Sequence, residues 1–459
     1  MVSKRLAELA LLKALETGAD FAELFFEDRL DNAITMRGGK VEDANSGRLH
    51  GVGVRVFKGL RMIYAYTNDF DEPGLLACAD KAASALSDAR MIDSVKLTGS
   101  VAANIHPIKK LPGDVENSWR VGKLREGHDA IQSVSPEIVQ IIMRYVDADQ
   151  NVTIANSEGL FVSDRRVYTR LAFTAVASDG TENQIGFEAP GAYMGAEFAD
   201  ALDFEGIGKS VGKMAVTMLH ADQCPAGVMP VVIDSAFGGV IFHEACGHSL
   251  EATSVARGLS EFCGKLGTRI ATDIVTAIED GTIANEWGSL NIDDEGTPTN
   301  RLVLIENGIL KNYMIDKLNG RRMNMPPTGS GRRQSYAFAP TSRMRNTFIA
   351  PGSDDPAEII ASMGDGLYAK TMGGGSVNPV TGEFNFNVAE GYLVKDGKID
   401  KPVRGASLIG KGSEILLKID RVGKDMCMGQ GMCGSYSGAV PTNVGQPMIR
   451  VSSMTVGGH

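Results

Sequence analysis

The sequence predicts an α+β fold in which N-terminal α/β units, with mixed or antiparallel sheets, precede a β-rich C-terminal domain. A chain of 459 residues is too long for a single hydrophobic core, so we expect more than one domain. Short apolar segments bounded by turn residues are frequent, and the 54 glycines are concentrated in the second half. We therefore predict domains at residues 1–105, 106–225 and 226–459.

The first domain is predicted to begin with an amphipathic helix over residues 1–18. An Ala-rich pattern over residues 75–86 predicts a second helix that covers a sheet. The turn residues Lys58 and Gly59 separate two β-branched, apolar runs, which predicts a hairpin. The strands expected in this domain cover residues 22–27, 33–36, 52–57 and 61–66.

The middle domain follows a proline-punctuated linker at residues 104–112. Polar and amphipathic patterns predict helices at residues 115–131 and 207–219, before and after a meander of antiparallel strands. The strands expected in this meander cover residues 138–146, 152–155, 160–163, 168–177 and 183–188. We find no residues with obvious chemistry in residues 1–105, and the candidate functional residues lie in the C-terminal domain.

The composition excludes several classes of function. A net charge of −10 argues against a protein that coats nucleic acid or an anionic membrane, so we expect neither partner. The sequence has no apolar run of the roughly 18 residues that a membrane span needs. Its six cysteines are dispersed without a paired framework, as is typical of a reducing compartment. We therefore predict a cytoplasmic protein.

The stretch most suggestive of chemistry follows a predicted buried strand at residues 228–233. A helical pattern over residues 236–246 places His243 and Glu244 in its last turn, and His248 comes five residues after His243. Two residues at i and i+5 of an unbroken α-helix are rotated by about 140°, so they cannot share a metal ion. Glycine adopts a left-handed conformation without strain. We therefore expect Gly247 to end or distort the helix and to let the two imidazoles converge.

A His–Glu–x–x–x–His motif with that break favours a catalytic metal site. Catalytic zinc usually has three protein ligands and one open position, so a third ligand must come from elsewhere in the chain. Glu244, which adjoins the first imidazole, is placed to act as a general base. The alternative is a helix end with one buried and one surface histidine and a solvated Glu244. Seven histidines in the whole chain make such a chance arrangement rare.

The rest of the C-terminal domain contains other candidate features. Cys246 is interpreted as a small apolar residue in a helix–sheet gap, with a nucleophilic role as the alternative. Four arginines are interpreted as a solvated or interdomain face, with a substrate clamp as the alternative: Arg332, Arg333, Arg343 and Arg345. The glycine run at residues 371–375 lacks the following Lys-Ser/Thr pair of a phosphate-binding loop, which excludes that function.

Several motifs together resemble the TldD/PmbA family of metallopeptidases, in family order and over nearly the whole chain. They are residues 51–57 (GVGVRVF), 239–251 (GVIFHEACGHSLE), 294–299 (DEGTPT), 304–308 (LIENG), 433–434 (CG) and 444–447 (VGQP). The full His–Glu–x–x–x–His motif makes the chain similar to the metal-bearing TldD-type subunits. The family also contains metal-lacking TldE/PmbA-type partners.

The resemblance implies a site, an activity and partners. The metal would be held by His243, His248 and Cys433, with Glu244 catalytic, and mixed thiolate and imidazole ligands suit Zn²⁺. Cys427 is the nearest alternative to Cys433. The implied substrates are unfolded proteins or short peptides, bound extended along a strand edge. The implied assembly is a homodimer or a heterodimer with a metal-free TldE/PmbA-type subunit. A non-catalytic partner or regulatory scaffold is the alternative function.

Overall fold

Two large sheets organise the computed structural model, which describes residues 2–86 and 94–458. Residue 1, where the first helix is predicted to begin, lies outside the described ranges. The mixture of helices with antiparallel and mixed sheets confirms the predicted α+β class. No helix in the described ranges combines the length and apolar character needed to cross a bilayer.

The first sheet is N-terminal and has the spatial order β3-β2-β1-β5-β6-β4, with β7 and β8 also paired to β6. Its strands in chain order are β1 (Phe21–Arg37), β2 (Lys40–Lys58), β3 (Arg61–Thr67), β4 (Thr98–Val101), β5 (Ile138–Asn156), β6 (Leu160–Ser178), β7 (Asn183–Glu188) and β8 (Gly191–Ala192). Because β1 pairs with both β2 and β5, this one sheet contains strands from both of the predicted N-terminal domains.

Helices cover one face of the first sheet. They are α1 (Lys4–Leu15), α2 (Glu72–Ala83), α3 (Asn117–Gln132), α4 (Glu197–Ala201) and α5 (Phe204–Leu219). The apolar faces of α1 and α2 pack over β1 to β3, and those of α3 and α5 pack over β5 to β7. Alternate residues of each strand point to the opposite face. That opposite face, which includes Phe25, Val152 and Ile154, packs against Ile292 of the C-terminal domain.

The C-terminal domain is built on a second, mixed sheet. Its strands in chain order are β9 (Asp222–Gln223), β10 (Gly227–Ile233), β11 (Ala277–Asp280), β12 (Arg301–Glu306), β13 (Ile309–Leu310), β14 (Gly331–Arg332), β15 (Thr341–Ser342), β16 (Asn346–Ile349), β17 (Gly366–Val377), β18 (Glu383–Lys395), β19 (Lys398–Arg404), β20 (Ser407–Lys411), β21 (Ile419–Ser435) and β22 (Gly438–Gly457). Strands β14 and β15 form a separate two-stranded pair. The strands β22, β10, β17, β18 and β20 pair in a closed ring, since β20 bonds to both β18 and β22.

Short helices connect these strands. They are α6 (Val240–Phe242), α7 (Ala252–Val255), α8 (Lys317–Met323), α9 (Pro356–Ala361) and α10 (Gly412–Ile415). The segment around α6 contacts β16, β17, β18 and β22, and its apolar side chains belong to the largest hydrophobic core of the protein. This packing places residues 237–250 against the closed ring of strands.

The sequence predicts two short strands at three places where the structure has one long strand. These places are β1, β5 and β6. Polar residues in the middle of β1 and β5 cause the error, because they look like turns in the sequence. In the sheet they bond to each other, as the amide of Asn32 does to the carboxylate of Asp147 at 2.7 Å. The predicted β2–β3 hairpin is present, and the predicted strand 183–188 coincides with β7.

Candidate metal centre

The His–Glu–x–x–x–His motif lies in a helical segment whose geometry changes along its length. A 3₁₀ turn at Phe237–Gly239 leads into α6, then a π-helical turn covers His243–Gly247, and a second 3₁₀ turn covers His248–Leu250. In the π turn the backbone N–H of His248 donates to the carbonyl of His243, five residues earlier. A π turn therefore places residues i and i+5 one above the other.

This turn corrects the prediction for Gly247, which does not adopt a left-handed conformation. Its φ and ψ are −52° and −55°, so the chain remains right-handed and is widened instead of ended. The need for glycine has a different cause. A Cβ atom at this position would lie 2.3 Å from Sδ of the buried Met344. The convergence of His243 and His248 and a distortion of the helix were correctly expected, but the distortion is a π turn and not a left-handed residue at Gly247.

Three predicted side chains meet beside this turn. Nε2 of His243 lies 3.3 Å from Sγ of Cys433, and Nε2 of His248 lies 3.4 Å from the same sulfur. All three atoms lie within 4.8 Å of one another. The two imidazole rings are nearly perpendicular, at 83°, so their nitrogens point into a shared space from different directions. The structure thus contains a compact His–His–Cys group that could hold a metal ion.

The electrostatics of the group favour an ionised thiol. Burial raises the pKa of Cys433, but the two neighbouring imidazoles outweigh burial and lower this pKa well below its ordinary value. Burial by itself lowers the pKa of His248, in the opposite direction to its effect on the thiol. Glu251 and Cys433 outweigh burial and raise the pKa of His248 well above its ordinary value. A thiolate beside imidazole nitrogens is the donor set that zinc and related metals prefer.

Two carboxylates lie near His248, and each is close to a different nitrogen of the imidazole ring. Oε2 of Glu251 lies 3.1 Å from Nδ1 of His248 and therefore orients the ring. Oε2 of Glu244 lies 3.8 Å from Nε2, the atom that faces the sulfur. Nδ1 of His243 is buried without a hydrogen-bond partner in the described part of the chain. The orienting role of Glu251 was missed, although its spacing of three residues from His248 could have indicated it.

Comparison with known families assigns most of the chain. Models described as PmbA/TldA metallopeptidase domain 1, central domain and C-terminal domain match residues 22–86, 110–219 and 226–458. The chain belongs to the PmbA/TldA metallopeptidase family. The resemblance inferred from the sequence motifs is thereby confirmed, as is the expectation that the protein is a metallopeptidase.

Named relatives agree with this assignment. A metalloprotease TldD homolog of Haemophilus influenzae is 34% identical over 455 residues, which cover 96% of this chain and 93% of the relative. A zinc metalloprotease TldD homolog of Saccharolobus solfataricus is 27% identical over 458 residues, which cover 97% of this chain and 98% of the relative. The crystal structure of TldE from Thermococcus kodakarensis has the same fold, with a TM-score of 0.75 and 18% identity. The match covers 95% of this chain and 97% of TldE.

A cavity of about 550 Å³ opens onto the His–His–Cys group of this PmbA/TldA family member. Glu244 and all three members of the group line it, together with residues 374–377 of β17 and 431–435 of β21. Each of these two strand segments pairs with a neighbour on one side, β18 and β22 respectively. Within the described ranges, neither segment has a strand partner on its other side. The cavity is therefore bordered by two edges that are free of a strand partner, although two carbonyls of β21 already accept hydrogen bonds from the side chains of Trp287 and Arg343.

The four arginines predicted to form a solvated or interdomain face are buried, so the solvated alternative is wrong and the interdomain alternative holds for one of them. Arg333 bonds to Glu23 of β1 at 2.9 Å, which makes it an interdomain contact. Arg345 bonds to Glu279 at 2.7 Å, within the domain. Arg343 donates to the carbonyl of Cys433 and so positions the strand that carries this thiol. Arg343 lies 90 residues before Cys433, and no local pattern could have indicated the contact.

The remaining cysteines of the motif regions lie away from the cavity. Cys246 is fully buried in the hydrophobic core, where burial raises the pKa of its thiol well above the ordinary value. This agrees with the apolar, gap-filling interpretation. Cys427 is exposed and lies opposite Gln446 in the β21–β22 ladder. Along an extended strand, six residues separate it from Cys433 by about 20 Å.

Replacement of Gly247 by alanine should destabilise the protein. The new Cβ would overlap Sδ of Met344, and such overpacking of a core costs about 1–3 kcal/mol in the free energy of unfolding. Denaturant unfolding of Gly247→Ala, Met344→Ala and the double variant measures the coupling between the two positions. The penalty for Gly247→Ala should shrink when Met344 is already alanine. Equal penalties in the two backgrounds would contradict the steric explanation.

Proposed function

We propose that this metallopeptidase uses zinc to hydrolyse unfolded or short peptides, with the metal held by His243, His248 and Cys433. The observation that carries the proposal is the convergence of the three donor atoms within 4.8 Å of one another. The S. solfataricus relative with zinc in its name supports the choice of metal.

The geometry of the donors supports zinc binding. Zinc bonds to imidazole nitrogen at about 2.0–2.1 Å and to thiolate sulfur at about 2.3 Å, so two such ligands at a tetrahedral angle lie about 3.5 Å apart. The two nitrogen–sulfur separations of 3.3 and 3.4 Å are close to that value. Three protein donors beside an open cavity also correspond to a catalytic site, because one coordination position stays available.

We assign the role of general base to Glu244. A bound zinc ion would polarise the scissile carbonyl and lower the pKa of the attacking water. Glu244 lines the same cavity as the donor atoms, with Oε2 3.8 Å from Nε2 of His248. This position supports a role in which Glu244 accepts a proton from that water and passes the proton to the leaving amine. Glu251 keeps His248 oriented while this occurs.

The free strand edges support an extended substrate. A peptide that adds as a further strand to β17 or β21 would bond through its backbone, which gives affinity without strict side-chain specificity. Both edges carry glycines, at Gly374, Gly375, Gly431 and Gly434, so a substrate backbone can approach closely. Such binding requires an extended chain, which a folded substrate does not offer. This is the basis for proposing unfolded proteins and short peptides.

We also propose a homodimer or a heterodimer with a metal-free TldE/PmbA-type subunit, in the cytoplasm. The shared fold with TldE supports a pairing of two similar subunits. The six cysteines are free, which supports a reducing compartment.

Metal removal tests the proposed function directly. The purified chain, alone and with a TldE-type subunit, is analysed for bound zinc and assayed on a quenched-fluorescent peptide. The assay is repeated on a reduced, alkylated protein and on the same protein in its folded form. We expect about one zinc per chain, loss of cleavage after chelation, recovery with Zn²⁺, and cleavage of the unfolded form only. Full activity of the zinc-free protein would refute the proposal.

A further inference from the structure

A second cavity, of about 730 Å³, lies between the first sheet and the C-terminal domain. Its floor is the face of β5 and β6 opposite the helices, where alternate cross-strand pairs line it from Ile142 and Thr174 to Gln150 and Arg166. Its roof contains Trp287 and the end of the β21–β22 hairpin. The volume is within the range of about 300–1,000 Å³ that small-molecule sites occupy.

Cations without counterions line this cavity. Three carboxylates also line it, and each is already paired: Asp31 with Arg29 and Asp294 with Arg166, at 2.6 Å each, and Asp147 with Arg120 at 2.7 Å. Three other guanidinium groups have no carboxylate partner within residues 2–86 and 94–458, and they belong to Arg144, Arg170 and Arg332. The cavity therefore has a surplus of positive charge in a protein whose net charge is −10.

Arg332 is the most informative of the three because it is only 2% exposed. Its Nη1 donates to the carbonyl of Met344 at 2.6 Å, and its guanidinium makes no other hydrogen bond to the described residues. Burial lowers its pKa to about 10. A buried charge without a partner is costly, and a planar guanidinium with free N–H groups matches a carboxylate. Such an arrangement is typical of a prepared anion site.

The surroundings of these arginines are apolar. Trp287, Leu290, Leu171 and Val440 line the same cavity, and the guanidinium of Arg170 lies 5.4 Å from the centre of the Trp287 ring. A ligand that fills this space therefore needs an apolar body in addition to an anionic group. Inorganic anions lack such a body.

We propose that this cavity binds the free carboxylate of an amphipathic ligand, with Arg332 and Arg170 as the anion-binding groups. The carboxylate could belong to the C-terminus of a peptide or to a free organic acid. The cavity is distinct from the metal centre, since the backbone of β21 lies between them and Met432 lines both. Arg170 and Trp287 also donate to the carbonyls of Gln430 and Gly431, at 3.1 and 2.8 Å, on that strand.

Tryptophan fluorescence tests the proposal without any reliance on catalysis. The chain has two tryptophans, and a Trp119→Phe background leaves Trp287 in the cavity as the only reporter. This protein, and the same protein with Cys433→Ser, is titrated with acetyl-Leu-Leu-Phe, with the amide of that peptide, and with octanoate. We expect a saturable change with the free acid peptide, at least tenfold tighter than with its amide, in both proteins. Octanoate binding as tight as the peptide's would assign the site to free organic acids.

Charge-removing variants locate the anion-binding groups. Arg332→Gln and Arg170→Gln should each weaken binding at least tenfold, and Arg170→Gln carries the test if Arg332→Gln does not fold. Arg165→Gln is the matched control, because it removes one charge from β6, the strand that carries Arg170. The side chain of Arg165 bonds to Asp149 outside the cavity. This variant should bind as the parent does. Equal affinity for acid and amide, no saturable signal, or equal weakening by Arg165→Gln would each overturn the proposal.

Discussion

Replacement of Glu244 by glutamine is expected to lower peptide hydrolysis by roughly 10²–10⁴-fold while zinc content stays at the wild-type level. Glutamine has nearly the same size as glutamate but cannot accept the proton of the attacking water. Since the side chain lies beside the donor atoms and not among the three that converge, its replacement should leave the His–His–Cys group intact. The measurements are kcat on the quenched peptide and metal analysis of the purified variant.

Glu251→Gln provides the matched comparison for this prediction. It also replaces a carboxylate by an amide next to His248, but this carboxylate contacts Nδ1 of the imidazole and orients the ring. Loss of such a supporting contact typically costs about 10–100-fold in metal affinity. Its defect should therefore recover with excess zinc, whereas that of Glu244→Gln should not. Hydrolysis by Glu244→Gln within about tenfold of wild type would exclude the role of general base.

The fold shows which parts of a sequence can be interpreted locally. The β2–β3 hairpin follows from the turn residues between two apolar runs, and the structure has it at the predicted place. The long strands β1 and β5 do not follow, because their polar middle residues are satisfied by side chains more than 100 residues away, as in the Asn32–Asp147 bond. Strand continuity in a large sheet depends on neighbours that a local pattern does not contain.

The metal centre shows the same limit at the level of side chains. His243, Glu244 and His248 are close in sequence, so their spacing together with Gly247 indicated that the helix must end or distort for the imidazoles to converge. The type of distortion could not be predicted, because Gly247 packs against Met344, which lies 97 residues away in the chain (344 − 247). The burial of the arginines was also hidden, since partners such as Glu23 for Arg333 lie in another part of the chain.

Cys433→Ser should remove bound zinc, and Cys427→Ser should retain it. A serine hydroxyl is a poor substitute for a thiolate, so the site would lose one of three donors and its affinity should fall by roughly 100-fold or more. The fold should persist, because β21 stays paired with β22 and Arg343 donates to the carbonyl of residue 433, which serine retains. Cys427 is exposed and about 20 Å along the strand from Cys433, beyond the reach of the imidazoles.

The measurement is zinc content of both variants after dialysis, with thermal unfolding as a check on the fold. Protons compete with zinc for the thiolate and the imidazoles, so the wild-type protein should lose zinc progressively as the pH falls. Cys427→Ser should have the same pH profile as the wild type, whereas Cys433→Ser should hold little zinc at any pH. Metal loss in Cys427→Ser together with retention in Cys433→Ser would reverse the assignment of the third ligand. Retention in both variants would exclude a cysteine ligand from either position.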